Sequence, residues 1–240
     1  MTTEFHTPAF SNVGALARRS LGALCLALGL VACGGGGGGG DVSNQGGGGG
    51  GPVMAGPMSF AGSAPALGAA PTQLPQEGAM NVCENFRFGG REIENLKVRD
   101  NARCVLEAGV RIDGNVELGN RSEFYASGVT IGGNVQGQGA AIALLEDSRV
   151  GGNVQLDKGR DITVRDNTVD GSIQLDENGG AIHVLANIVD GDIQLFDNRG
   201  GAKVSDNRVD GNLQCKENIP APEGSGNVVQ GNKEDQCARL

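Results

Sequence analysis

Carboxylates recur at a fixed interval in this sequence. Asp170, Asp190 and Asp210 each stand immediately before a glycine, and Asp113 does the same upstream. Stacked acids repel one another, and a bound Ca²⁺ would relieve that repulsion. Against this, Gly132 and Gly151 take the same place in two repeats, so the file is broken. The Gly-Gly-x-Gly-x-Asp nonapeptide of calcium-binding solenoids is absent, and Asp-Gly is an ordinary turn pair. The three aspartates stay as a Ca²⁺ candidate beside a plain reading as turn residues; no other metal and no cofactor is expected. His183 falls on an outward phase beside Thr163 and Lys203 and reads as solvated. No nucleophile–base pair or paired general acid and base emerges, so the chain is not expected to be an enzyme.

Four cysteines are placed for crosslinking. Cys83 and Cys104 are 21 residues apart, and Cys215 and Cys237 are 22 apart. Each separation is about one repeat, which would bring the Cα atoms within about 4.4–6.8 Å. One disulfide at each end of the repeat array is therefore expected. Zinc is disfavoured, because CxxC spacing is missing and no histidine is nearby.

The element that must position these groups is a short-period coil. Gly114, Gly133, Gly152, Gly171, Gly191, Gly211 and Gly231 recur every 19 or 20 residues. The segments after them alternate, as in Asn153-Val-Gln-Leu156, Ser172-Ile-Gln-Leu175 and Asp192-Ile-Gln-Leu195. A second alternating segment, such as Ile162-Thr-Val164 or Ile182-His-Val184, lies mid-repeat. Short β segments at this period signal a β-solenoid. The fold class predicted is all-β, a right-handed parallel β-helix with coils of 19–20 residues. Alternation points Val154, Leu156, Ile173, Leu175, Ile193 and Leu195 inward, with Ile162, Val164, Ile182, Val184, Val169, Val189, Val209 and Val229 on two further inner sides. Gln155, Gln174, Gln194 and Gln214 point outward. Asn167, Asn187, Asn207 and Asn227 form one file with Ser148 in register, and Asn178, Asn198 and Asn218 form another. Such amides can bond coil to coil, and asparagine tolerates the left-handed backbone of a tight corner.

The first third is a different polymer, holding 20 of the 43 glycines in residues 1–80. Arg18-Arg19 precede an apolar run from Leu21 to Val31, too short to span about 30 Å of hydrocarbon as a helix. It fits the apolar region of a secretory signal peptide over residues 1–32. The run ends in Leu30-Val31-Ala32-Cys33, which resembles the lipobox of bacterial lipoproteins. That resemblance implies that Cys33 carries lipid, with palmitate among its acyl chains, and that the membrane is a partner through this anchor. Gly34 in place of Asp resembles the outer-membrane-sorted type, so an outer-membrane or cell-surface location is implied. Residues 34–80, with polyglycine at Gly34–Gly40 and Gly46–Gly51, cannot bury enough apolar surface to offset their entropy. The expected organisation is signal peptide 1–32, lipidated Cys33 plus tether 33–80, and solenoid domain 81–240.

The C-terminal stretch Gly211-Asn-Leu-Gln-Cys215, Asn218-Ile-Pro-Ala-Pro222 and Gln236-Cys237 is similar to the endings of a family of secreted bacterial repeat proteins. The likeness extends over residues 83–240; it implies export and a solenoid and carries no activity. Net charge -9 and 3% aromatic residues argue against nucleic acid. A membrane-tethered, non-catalytic solenoid of the cell envelope is therefore expected, structural or binding a cell-wall or glycan ligand, as a monomer. Two alternatives stand beside it. One is a polysaccharide-active β-helix enzyme, but coils of 19–20 residues leave no room for catalytic loops. The other is a polymer-forming scaffold of the bactofilin type, which disulfides at both ends and Pro220 and Pro222 oppose.

Overall fold

A computed structural model describes residues 67–240. The expected signal peptide, Cys33 and most of the expected tether lie outside these residues. The described chain is all-β and winds into stacked coils that share three sheets of eight, eight and ten strands. Strands pair with the equivalent strand one repeat away, and nearly all pairs are parallel. Ile173 faces Ile193, Gln174 faces Gln194 and Leu175 faces Leu195 across one such pair. The next coil continues the register with Leu213, Gln214 and Cys215.

This register follows from the glycine period. Because side chains alternate along a strand, a slip of one residue would turn every apolar group to solvent. The inward assignment is borne out. Val154, Ile173, Leu175, Ile193 and Leu195 are buried, as are Ile162, Val164, Ile182, Val184, Val169, Val189 and Val209. Val229, in the last coil, is only partly buried against the same core. Each coil covers its inner residues with its neighbours alone, so the core is a narrow aliphatic column.

The coil stack begins earlier than residue 81. Strand Gly68–Ala69 pairs in parallel with Phe86–Phe88, and Gln76–Glu77 folds back antiparallel onto Met80–Cys83. Leu74 is buried beneath this first turn. Composition hid it, because two-residue strands among Pro, Ala and Gly carry no alternation.

Two corners are built on buried amides. Asn187 Oδ1 accepts from the N–H of Asn167 at 3.1 Å, and Asn187 Nδ2 donates to Asn207 Oδ1 at 3.0 Å and to the Val164 carbonyl at 2.8 Å. The second file repeats the pattern through Asn178, Asn198 and Asn218 and ends on Gln236 Oε1. In the earlier coils this file holds Ser122, whose buried Oγ has no partner among the described residues. Its neighbours in register, Ala102 and Ala141, have no polar side chain to offer.

The left-handed backbone does not fall on these asparagines. It falls on the residue before each: Asp166 (φ 56°), Ala186 (φ 53°) and Asp206 (φ 59°) in one file, Glu177 (φ 52°), Asp197 (φ 52°) and Glu217 (φ 58°) in the other. The reason is geometric: one left-handed residue turns the chain, and the next residue then aims its side chain inward.

The third corner explains the periodic glycine. Asn153 Oδ1 accepts the N–H of Ser172 at 2.8 Å, and a Cβ on Gly171 would lie 2.3 Å from that oxygen. The same holds for Gly191 under Ser172 Oγ and Gly211 under Asp192 Oδ1. The residue after each glycine thus caps the next coil, and the glycine leaves room for it.

Candidate functional site

The cysteines meet at the two ends of the stack as expected. Cys83 and Cys104 have Cα atoms 5.7 Å apart, and Cys215 and Cys237 have them 5.2 Å apart, each pair sulfur to sulfur. Cys215 is buried in the inward register of Leu175 and Leu195. These bonds clamp the terminal coils and lie apart from any groove.

Asp170, Asp190 and Asp210 each stand just past the end of successive interior strands of an eight-stranded sheet. Asp170 pairs with Arg149 at 2.8 Å, and Asp210 accepts from Gln230 Nε2 at 2.6 Å. Asp190 is exposed. Among the described residues, no three His, Cys, Asp or Glu side chains gather where they could hold a metal ion. His183 sits in register with Thr163 and Lys203 on the outer face of the other eight-stranded sheet. Burial, and then the Lys203 ammonium, push its imidazole below the usual histidine range.

The polar feature with the most order is on the outer face of the ten-stranded sheet. Gln155 Nε2 donates to Gln174 Oε1 at 2.5 Å, Gln174 to Gln194 at 2.8 Å, Gln194 to Gln214 at 2.7 Å, and Gln214 to Glu234 Oε2 at 2.8 Å. All four amides point the same way, so each bond polarises the next, and the chain ends on a carboxylate. Gln136 extends the file upstream in register.

A second outward file runs beside it through Gln138, Asp157, Asp176, Phe196 and Lys216. Burial first, then the Asp176 charge, raises the carboxyl of Asp157 above its usual range. Burial, then Glu177 and Asp197, does the same for Asp176. Between the files lies a shallow groove of about 600 Å³, lined by both files and by Glu117. Sequence reasoning placed the glutamines outward but did not join them. The signal was there: Val-Gln-Leu-Asp and Ile-Gln-Leu-Asp put amide and acid two residues apart, hence on one face, and Ile-Gln-Leu-Phe puts a phenylalanine in the acid's place.

The fold and these files define the class of protein: a β-solenoid with amide-stitched corners and one continuous polar face. No family profile, curated protein or solved structure that was compared matches the chain.

Proposed function

We propose that this chain is a lipid-anchored, non-catalytic β-solenoid of the bacterial cell envelope, which carries a rigid binding or structural rod on a polyglycine tether. The single observation that carries the reading is the joining of Leu30-Val31-Ala32-Cys33 and its glycine-rich sequel to an uninterrupted coil stack. From Phe86 to Lys216 every coil returns to the same three sheets. Even the Pro-containing stretch after Lys216 rejoins them through the Lys203–Glu223 bridge and strand Val228–Val229. Loop-built catalytic clefts need insertions between strands, and the coils here spend their residues on turns.

Two features support a monomer over an end-to-end polymer. The antiparallel strand Gln76–Glu77 covers the first coil, and Gln236 with Cys237 closes the last. The first of these breaks the parallel register that an end-to-end stack would continue, and the second ties the last turn back onto its own coil.

The test is membrane fractionation with labelled palmitate. Wild type should incorporate label and pellet with the outer membrane. Cys33→Ser should lose the label, because stable anchoring needs two or more acyl chains at about 0.8 kcal/mol per buried CH₂. Equal labelling of both proteins would overturn the anchor.

A further inference from the structure

We propose that the outer face of the ten-stranded sheet binds an extended, uncharged polysaccharide laid along the solenoid axis, with Gln136, Gln155, Gln174 and Gln194 as its hydrogen-bonding rail. The inference rests on the ligand-binding part of the reading above and names the class of ligand.

The rail is already ordered. Each glutamine from Gln155 to Gln214 is held by its neighbours, so little rotamer entropy remains to be lost on binding. A primary amide has two hydrogens and two lone pairs. The ladder consumes one of each, and the remaining hydrogen and lone pair can meet a hydroxyl, which both donates and accepts. At the upstream end Gln136 and the Oε1 of Gln155 have no protein partner among the described residues.

The spacing suits a sugar polymer. Rail positions repeat at the coil interval of about 4.8 Å. An extended, equatorially linked pyranose chain advances per ring by slightly more than that distance, so over three or four coils successive rings stay within hydrogen-bond reach of successive glutamines.

The charge selects an uncharged chain. The groove is lined by Glu117, Asp157 and Asp176 and by no lysine or arginine. An anionic chain would be repelled there, whereas carboxylates accept well from hydroxyls. Phe196, half-buried at the downstream end of the groove, offers a ring for the apolar face of one sugar. The same acids oppose the other natural occupant of an open sheet face, a second copy of this chain, because Asp157 and Asp176 would meet their counterparts.

The experiment uses the full-length protein in detergent micelles. Cellohexaose and N-acetylchitohexaose are titrated while the side-chain amide resonances of the glutamines are followed, with oligogalacturonate as the anionic contrast. The expected result is that a neutral hexasaccharide shifts the Gln155, Gln174 and Gln194 amides and that oligogalacturonate does not. Gln174→Ala should weaken binding about five- to tenfold through the lost hydrogen bonds. Thr163→Ala, on a different sheet, should leave it unchanged. Three results would overturn the proposal: no shift with either neutral sugar, preferential binding of oligogalacturonate, or concentration-dependent dimerisation that protects the same amides without sugar. Palmitate labelling is read separately, so a failed sugar titration leaves the anchored solenoid standing, and a failed anchor leaves the sugar result intact.

Discussion

Asn187 is the residue on which the corner argument can be tested hardest. Its side chain is 1% exposed. Replacing it with alanine removes the acceptor for the Asn167 N–H and for one Asn167 Nδ2 hydrogen, and removes a donor from the Val164 carbonyl. Water does not reach this corner to compensate. A buried polar group left unpaired costs about 1–3 kcal/mol; here the Asn167 N–H is stranded and the Val164 carbonyl, paired within its sheet, loses a second donor, so Asn187→Ala should cost about 3 kcal/mol. Gln174→Ala also breaks two side-chain bonds, but on a half-exposed face where water replaces them, and should cost under about 1 kcal/mol. Asn187→Ser should fall between. Ser148 holds the same place one file position upstream of Asn167, accepting from the Val129 N–H and donating to the Glu146 carbonyl. Asn187→Asp adds a pH signature. A carboxylate there faces the Val164 carbonyl and Asn207 Oδ1, both acceptors, so its folded-state pKa is raised above the unfolded value of about 3.9. The folded state then binds the proton more tightly. Stability of this variant should climb as pH falls through the raised pKa and level off below the unfolded one. Denaturant unfolding followed by circular dichroism gives the energies, and exchange of the Asn167 amide gives the local opening. If Asn187→Ala matches Gln174→Ala within about 1 kcal/mol, and the Asn167 amide stays protected, the amide file is not what holds the corner.

Three further outcomes follow from the same geometry. Gly171→Ala puts a Cβ 2.3 Å from Asn153 Oδ1 and must break the cap on Ser172; a loss of at least about 2 kcal/mol is expected, while Gly68→Ala, with open space around it, should be neutral in the same melt. Ala186→Gly relieves an alanine held at φ 53° and should raise stability by up to about 1 kcal/mol in spite of the extra freedom of the unfolded chain; destabilisation would contradict the assigned backbone. Asp157→Asn removes a carboxyl whose pKa is raised by burial and by Asp176. The variant should be more stable than wild type at neutral pH, and the gain should shrink as pH falls through the raised pKa and vanish below the ordinary carboxyl range, as melts at stepped pH would show.

What the sequence made legible was whatever repeats in one dimension. The glycine interval, the inward valines and isoleucines and the cysteine separations all follow from side-chain alternation and coil length, which neighbouring repeats state several times over. What it concealed was the contact made by polar residues outside the cysteine pairs and the two asparagine files. Asn153 and Gln174 look like ordinary polar residues until stacking places the first beneath Gly171 and the second between Gln155 and Gln194. The left-handed positions were read one residue late, because propensity favours Asn there while geometry needs the Asn side chain turned inward. The first turn, with Leu74 its only deeply buried residue before Met80, was hidden by a composition that otherwise belongs to linkers.

The buried amide files have a direction. Each asparagine offers its N–H and one Nδ2 hydrogen to the Oδ1 of the coil that follows, while its other Nδ2 hydrogen goes back to a carbonyl of the coil before. Each coil therefore presents a donor that the following coil satisfies. The contacts run one way along the stack, like the teeth of a zipper. Gln236 ends the run differently: its Oε1 receives the donors of Asn218, and its own Nε2 turns back to the Asn218 carbonyl. With Cys237 bonded to Cys215 beside it, the second file closes on a residue that receives two donors and returns its own to the same asparagine.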